Sequence, residues 1–175
     1  FEGNDLTKGF AGNIGLRKTK GHYRYGLHSL FEDNNYNPND LGFLYANNDI
    51  THHVGLEYHQ FNENKYFINS KISHSIKYQS LFTEQKFVNL ELGISARMTL
   101  KNYTTISIRT NFNPYEKNDF YEARTNDLTH PLKRSKSING SGWISTDYRK
   151  RLAIDIGGGA AFNPLYKGSV YHWRI

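Results

Sequence analysis

The residues of this chain whose types and spacing suit chemistry are three of its eight histidines, a few carboxylates, a run of glycines and one basic cluster. His52, His53 and His59 are of a type that binds transition metals. Adjacent strand residues point to opposite faces, so His52 and His53 cannot share one ion without a bulge. Asp147 and Asp155 flank a turn and Glu91 stands on another polar strand face; glycoside hydrolysis needs two carboxylates at a defined separation, and no spacing here fixes one. Gly157-Gly158-Gly159 lacks both the following helix and the Lys-Ser or Lys-Thr that complete a phosphate loop. There is no Gly-x-Ser-x-Gly elbow and no cysteine, which removes thiolate sites and disulfides. The expectation is a protein that is not an enzyme, with no catalytic, cofactor-binding or metal-binding residues. Lys133, Arg134 and Lys136 form the one loop cluster suited to lipopolysaccharide phosphates or an acidic glycan, beside the plainer reading of solvated loop charge.

The elements that would carry these residues are strands. In the stretch from Lys65 to Tyr78, Tyr66, Ile68, Ile72, Ile76 and Tyr78 alternate with Asn69, Lys71, Ser73, Ser75 and Lys77, a period of two. The alternation outlasts an ordinary strand of about five or six residues. It suits a tilted strand that crosses a bilayer in about nine to eleven residues, apolar toward lipid and polar toward a lumen. The aromatic content of 15% also favours strands. No run approaches the roughly 18 apolar residues of a membrane helix, which leaves a barrel open. The net charge of +6 would attract phosphate, but the cations are scattered through polar strand positions and turns, so nucleic acid is not expected as a partner.

Taken in order, strands are predicted at Gly9 to Lys18, His22 to Phe31, Ile50 to Phe61, the Lys65 stretch, around Val88 to Met98, around Ile106 to Phe112, Ile138 to Tyr148, Leu152 to Phe162, and from Ser169. Tight turns fall near Gly21, Glu63, Lys101 and Arg149, and longer loops are centred near Asn39, Phe82, Arg124 and Leu165. Short turns alternating with longer loops are the pattern of an up-and-down outer-membrane barrel, with the turns periplasmic and the loops outside. The fold class is therefore all-β, an antiparallel up-and-down transmembrane β-barrel of which about nine strands are covered. Nine is odd where bacterial barrels are even, and the chain opens at Phe1 without a start Met or a signal segment. Residues 1–175 are expected to be part of one barrel domain within a longer chain.

Four local patterns carry a resemblance. They are Lys8-Gly9-Phe10-Ala11-Gly12 with Tyr23-Arg24-Tyr25; Asn39-Asp40-Leu41-Gly42-Phe43-Leu44; Trp143 with Ser145-Thr146-Asp147-Tyr148-Arg149-Lys150; and the triple glycine. Together they resemble the barrel portion of an outer-membrane family of the Bacteroidota whose role is not established. Its members place an N-terminal domain like a sugar-binding module ahead of a C-terminal barrel. The resemblance covers most of the chain and implies that the sugar-binding-like domain lies outside these residues. Asp40, Leu41, Gly42 and Phe43 are its most specific part; Asp40 suits a loop cap and Gly42 a chain reversal before Phe43 packs at a rim.

The functional expectation is an integral barrel of the bacterial outer membrane, an anchor or accessory subunit for surface glycan handling or for a larger outer-membrane complex. Its partners would be outer-membrane lipid, lipopolysaccharide, other outer-membrane proteins and glycan. One rival is a channel for small hydrophilic or anionic solutes drawn by lumen Arg and Lys. The other is a soluble secreted β-sandwich that binds carbohydrate through Tyr115, Phe120 and Tyr121.

Overall fold

A computed structural model describes residues 8–37, 47–122, 128–164 and 168–174. The main strands are β1 (Ala11–Lys18), β2 (Tyr23–Glu32), β3 (Asp49–Gln60), β4 (Phe67–Leu81), β5 (Phe87–Leu100), β6 (Thr105–Asn113), β9 (Ser137–Ser145), β10 (Asp155–Asn163) and β11 (Gly168–Arg174). They form one nine-stranded sheet in sequence order, each antiparallel to its neighbour. The remaining pair, β7 (Lys117–Asp119) and β8 (Leu132–Arg134), makes a small hairpin inside the β6–β9 connection. The sheet is open, with β1 and β11 as its edges. No helix occurs among the described residues.

Register follows from the alternation. Ile76 pairs with Val54 on one side and Leu92 on the other, while Lys77 pairs with His53 and Glu91. Because the side-chain period is two, this register places every apolar row on one face and every polar row on the other. The apolar face carries Ile14, Leu27, Leu56, Ile76, Ile94 and Ile108, and all six are exposed. The only large apolar side chains buried among the described residues are Leu81 and Phe120, at 1% and 6% exposure. A soluble sheet would cover this face with a second layer; among the described residues none lies across it.

Two strand limits differ from the sequence reading. The seventh predicted strand ends at Ser145 and the eighth starts at Asp155, so the expected tight turn at Arg149 is a longer one. Thr146 N donates to the Ile154 carbonyl at 3.0 Å, and Ile154 N donates to Thr146 Oγ1 at 2.7 Å. These two bonds close the segment between them into a folded turn, although apolar residues continue to alternate through it. The long connection after β6 contains the β7–β8 hairpin, whose three-residue strands are too short for a periodicity to register.

Candidate functional site

The polar face is where charge converges. On β3 and β4, the Glu57 carboxylate lies 2.8 Å from His59 Nε2 and accepts a bond from Lys71 Nζ at 2.9 Å. Beside it a cavity of about 410 Å³ opens over β1–β3, lined by Arg17, Arg24, His28, His53 and Glu57. Its floor is bare backbone: Gly26 and Gly55 pair directly across β2 and β3, which leaves room between the arginine and histidine pairs. A second polar cavity of about 380 Å³ lies over β6, β9 and β10 and holds Arg109, Ser141, Trp143 and His172. Added methyl groups at Gly157 and Gly159 would press against Trp143 and His172, so the glycine run serves close packing of the sheet wall.

At the loop end this face is covered by the connection that carries the β7–β8 hairpin. Asn118 Nδ2 donates to the Phe87 carbonyl at 2.9 Å, Lys86 Nζ donates to the Leu128 carbonyl at 2.8 Å, and the Tyr121 hydroxyl donates to the Asn47 carbonyl. A cavity of about 420 Å³ remains beneath, between Glu32, Asp49, Gln79 and Phe120. Burial, and then the nearby carboxylates of Asp49, Glu84 and Glu32, push the Tyr121 phenol up to about 12. Asn48, 2% exposed with φ of 57°, holds the neighbouring loops together. Its amide donates to Glu84 Oε2 at 2.7 Å and accepts from Thr83 N at 2.8 Å. Sequence reasoning did not find Asn48 or Tyr121 as organising residues, since single polar residues within loops carry no periodic signal.

The turn end is built differently. Asp147 is buried and accepts bonds from the Arg149 backbone N, Nε and Nη2 at 3.1, 2.8 and 2.9 Å. The Arg149 side chain holds that carboxyl down at about 2, with the backbone bond adding to the effect. The same guanidinium stands 3.3 Å from the Tyr103 ring centroid, which ties the β9–β10 turn to the β5–β6 turn through a cation–π contact. Tyr148 donates its hydroxyl to Asp155.

The residues singled out from sequence are dispersed. Lys133 Nζ stands 3.6 Å from Glu116 and Arg134 donates to Asp119 at 2.8 Å, while Lys136 makes no ion pair among the described residues. Asp40, Leu41, Gly42 and Phe43 lie outside the described residues. His52 bonds Ser29 Oγ at 2.8 Å on the apolar face, His59 meets Glu57 on the polar one, and no group of three metal-ligating side chains occurs among the described residues. Register sets Glu91 opposite Lys77, away from Asp147 and Asp155, and those two are taken up by Arg149 and by the Tyr148 hydroxyl. The proposed platform of surface aromatics is corrected: Phe120 is buried and Tyr121 half-buried, turned inward by the cap's packing, and only Tyr115 is exposed.

An open, antiparallel, up-and-down sheet with one charged face and one bare apolar face defines the class. The chain belongs to a family described as a domain of unknown function, DUF5916, whose model matches residues 1–175. No curated protein and no solved structure matches it.

Proposed function

We propose that this chain is the membrane-embedded wall of a bacterial outer-membrane β-barrel, serving as an anchor or accessory subunit for a surface assembly that handles glycan. The observation that carries the reading is the bare apolar face, whose six isoleucine and leucine positions above are all exposed. Burying a leucine-sized side chain is worth about 1.5–3 kcal/mol; lipid supplies that burial to a single-layer sheet. Both rims carry aromatics, as membrane barrels do. Phe10, Phe31 and Phe82 cluster at the loop end with centroids 5.6–6.3 Å apart, and Tyr23 and Tyr58 meet at 5.0 Å at the turn end. From Tyr23 to Phe31 along β2 is ~26 Å at the usual rise, which a tilt of ~40° reduces to ~20 Å, near the ~25 Å apolar band of membrane barrels.

The edges fit the same reading. In an antiparallel sheet of nine strands, β1 and β11 run in the same direction, so antiparallel closure takes an odd number of further strands and gives an even total. The test is membrane fractionation of the intact protein followed by gel migration with and without boiling. Detergent-dependent solubility with a heat-dependent shift is expected. A buffer-soluble protein without a shift would reject the reading and favour the secreted sandwich.

A second reading, passage of small anionic solutes, rests on the polar face, where Arg17, Arg24, Lys71, Lys77, Arg97 and Arg109 stand against Glu32, Asp49, Glu57, Glu91 and Asp155. Single-channel recording separates the two: an anchor capped by the β7–β8 connection conducts little, and a channel conducts with anion preference.

A further inference from the structure

We propose that the short-turn rim of the sheet binds the phosphate groups of anionic phospholipids. This rests on the membrane reading above and assigns a specific lipid contact to one end of the wall. Lys18, Lys20, Lys65, Lys101 and the run Arg149-Lys150-Arg151 all lie at strand ends or turns on this rim, against Glu63, Asp147 and Asp155 among the described residues. At the loop rim the described residues hold seven carboxylates and six cations. The two ends of the strands therefore differ in sign: cations are in excess at the turn rim and not at the loop rim, the end that holds the basic cluster that stands out in the sequence.

Partnering sharpens the asymmetry. Lys101 occupies Glu63 and Arg149 occupies Asp147, while Asp155 accepts from the Tyr148 hydroxyl. Lys18, Lys20, Lys150 and Arg151 are exposed and make no ion pair among the described residues. The folded turn closed by Thr146 and Ile154 fixes Lys150 and Arg151 beside the sheet. Lys18 is the last residue of β1 on the apolar face, in register with Tyr25. A lysine there lays its stem along apolar surface and carries its ammonium out to the headgroups.

The identity of the anion follows from what surrounds these cations. Tyr23, Tyr58, Tyr66, Tyr103 and Tyr148 are exposed at the same rim, and tyrosine settles at the level where lipid tails give way to headgroups. Lys65 Nζ stands 5.5 Å from the Tyr66 ring and the Arg149 guanidinium stands over Tyr103. Cations interleaved with interfacial phenols and continuous with an apolar face meet whichever anion lies at the lipid–water boundary, and that is a phospholipid phosphate. Such attraction fades beyond a Debye length of ~8 Å at physiological salt, so it selects lipids in direct contact with the rim.

The experiment uses the full-length protein in detergent, exposed to equal amounts of phosphatidylglycerol and phosphatidylcholine and read by native mass spectrometry for retained lipid. The wild type is expected to retain phosphatidylglycerol several-fold over phosphatidylcholine. The quadruple variant Lys18→Gln, Lys20→Gln, Lys150→Gln, Arg151→Gln is expected to fall to near parity, and Lys133→Gln with Lys136→Gln to keep the preference. Inorganic phosphate at matched ionic strength should not displace the lipid; full displacement would mark a free-phosphate site and overturn the assignment. Heat-shifted migration is scored on every sample. A wild type that shifts but shows no lipid preference, or a quadruple variant that shifts and keeps it, overturns the rim assignment and leaves the barrel standing. A wild type with no shift and no need of detergent overturns both.

Discussion

Ile76 and Lys77 are consecutive residues of β4, yet they belong to different surroundings. Ile76 is 46% exposed among other exposed aliphatic side chains, with Val54 and Leu92 as its cross-strand neighbours. Lys77 is flanked by His53 and Glu91 on a face that holds ion pairs, polar cavities and a loop cap. On the polar face the residues satisfy one another; on the apolar face they satisfy only their own row. The contrast teaches that the stabilising partner of the apolar row lies outside the described residues, and lipid is the partner this account assigns to it.

The comparison breaks most sharply at Ile76→Lys. If that face meets lipid, a cation near the middle of the band costs about 2–4 kcal/mol, read as a lower temperature for loss of the heat-shifted gel form. Lys77→Gln, one residue away, is expected to stay within about 0.5 kcal/mol of the wild type, as for surface changes generally. Equal effects at the two positions would mean that the faces do not differ in environment.

Gly159→Ala probes the polar face from within. The added methyl would stand 2.8 Å from the Gly140 carbonyl oxygen and 2.5 Å from His172 Cε1. Backbone cannot yield as a side chain does, so overpacking of about 1–3 kcal/mol is expected, visible in the same melting assay. A neutral result would mean that this part of the wall is looser than described.

The smallest effect concerns the cap. Tyr121→Phe removes the hydroxyl that donates to Asn47 and should cost about 0.5–1.5 kcal/mol, seen as faster protease cleavage in the 114–136 connection. The phenol is raised from 10.0 to about 12 in the folded state, so its contribution is complete below pH 10 and is lost as pH rises through 12. Asp147 has the opposite sign. Its carboxyl is lowered from 3.8 to about 2, so its hold on Arg149 is present above pH 3.8 and is lost as pH falls through 2. Loop-end cleavage should therefore rise at alkaline pH while the turn end loosens only in acid.

How far the sequence already carried this structure depends on the length of each pattern. The β4 and β5 strands span fifteen and fourteen residues, and their existence and two faces could be read directly, whereas the register shifts between Phe67 and Asn69 and between Gln79 and Ser80 could not. The β9–β10 turn could not, because Ile144, Thr146, Tyr148, Leu152 and Ile154 continue the rhythm through a segment whose closure depends on one threonine hydroxyl. The basic loop cluster was conspicuous in sequence, yet Lys133 and Arg134 find Glu116 and Asp119 on the opposite strand of their hairpin or just before it. The turn-rim cations were present singly and in one short run, spread over four turns, and only the topology gathers them.

Residues 1–175 contain no cysteine, so a thiol placed in the sheet is the only one in it. The most direct measurement is labelling of Ile76→Cys and Lys77→Cys in native membranes with a water-soluble maleimide, followed by quenching of an attached fluorophore by nitroxide-bearing lipid tails. The thiol at position 76 is expected to resist the aqueous reagent and its fluorophore to be quenched by lipid, with the reverse at position 77. Ready aqueous labelling at both positions, or a shielded position 76 that lipid does not quench, would contradict a lipid-facing apolar row.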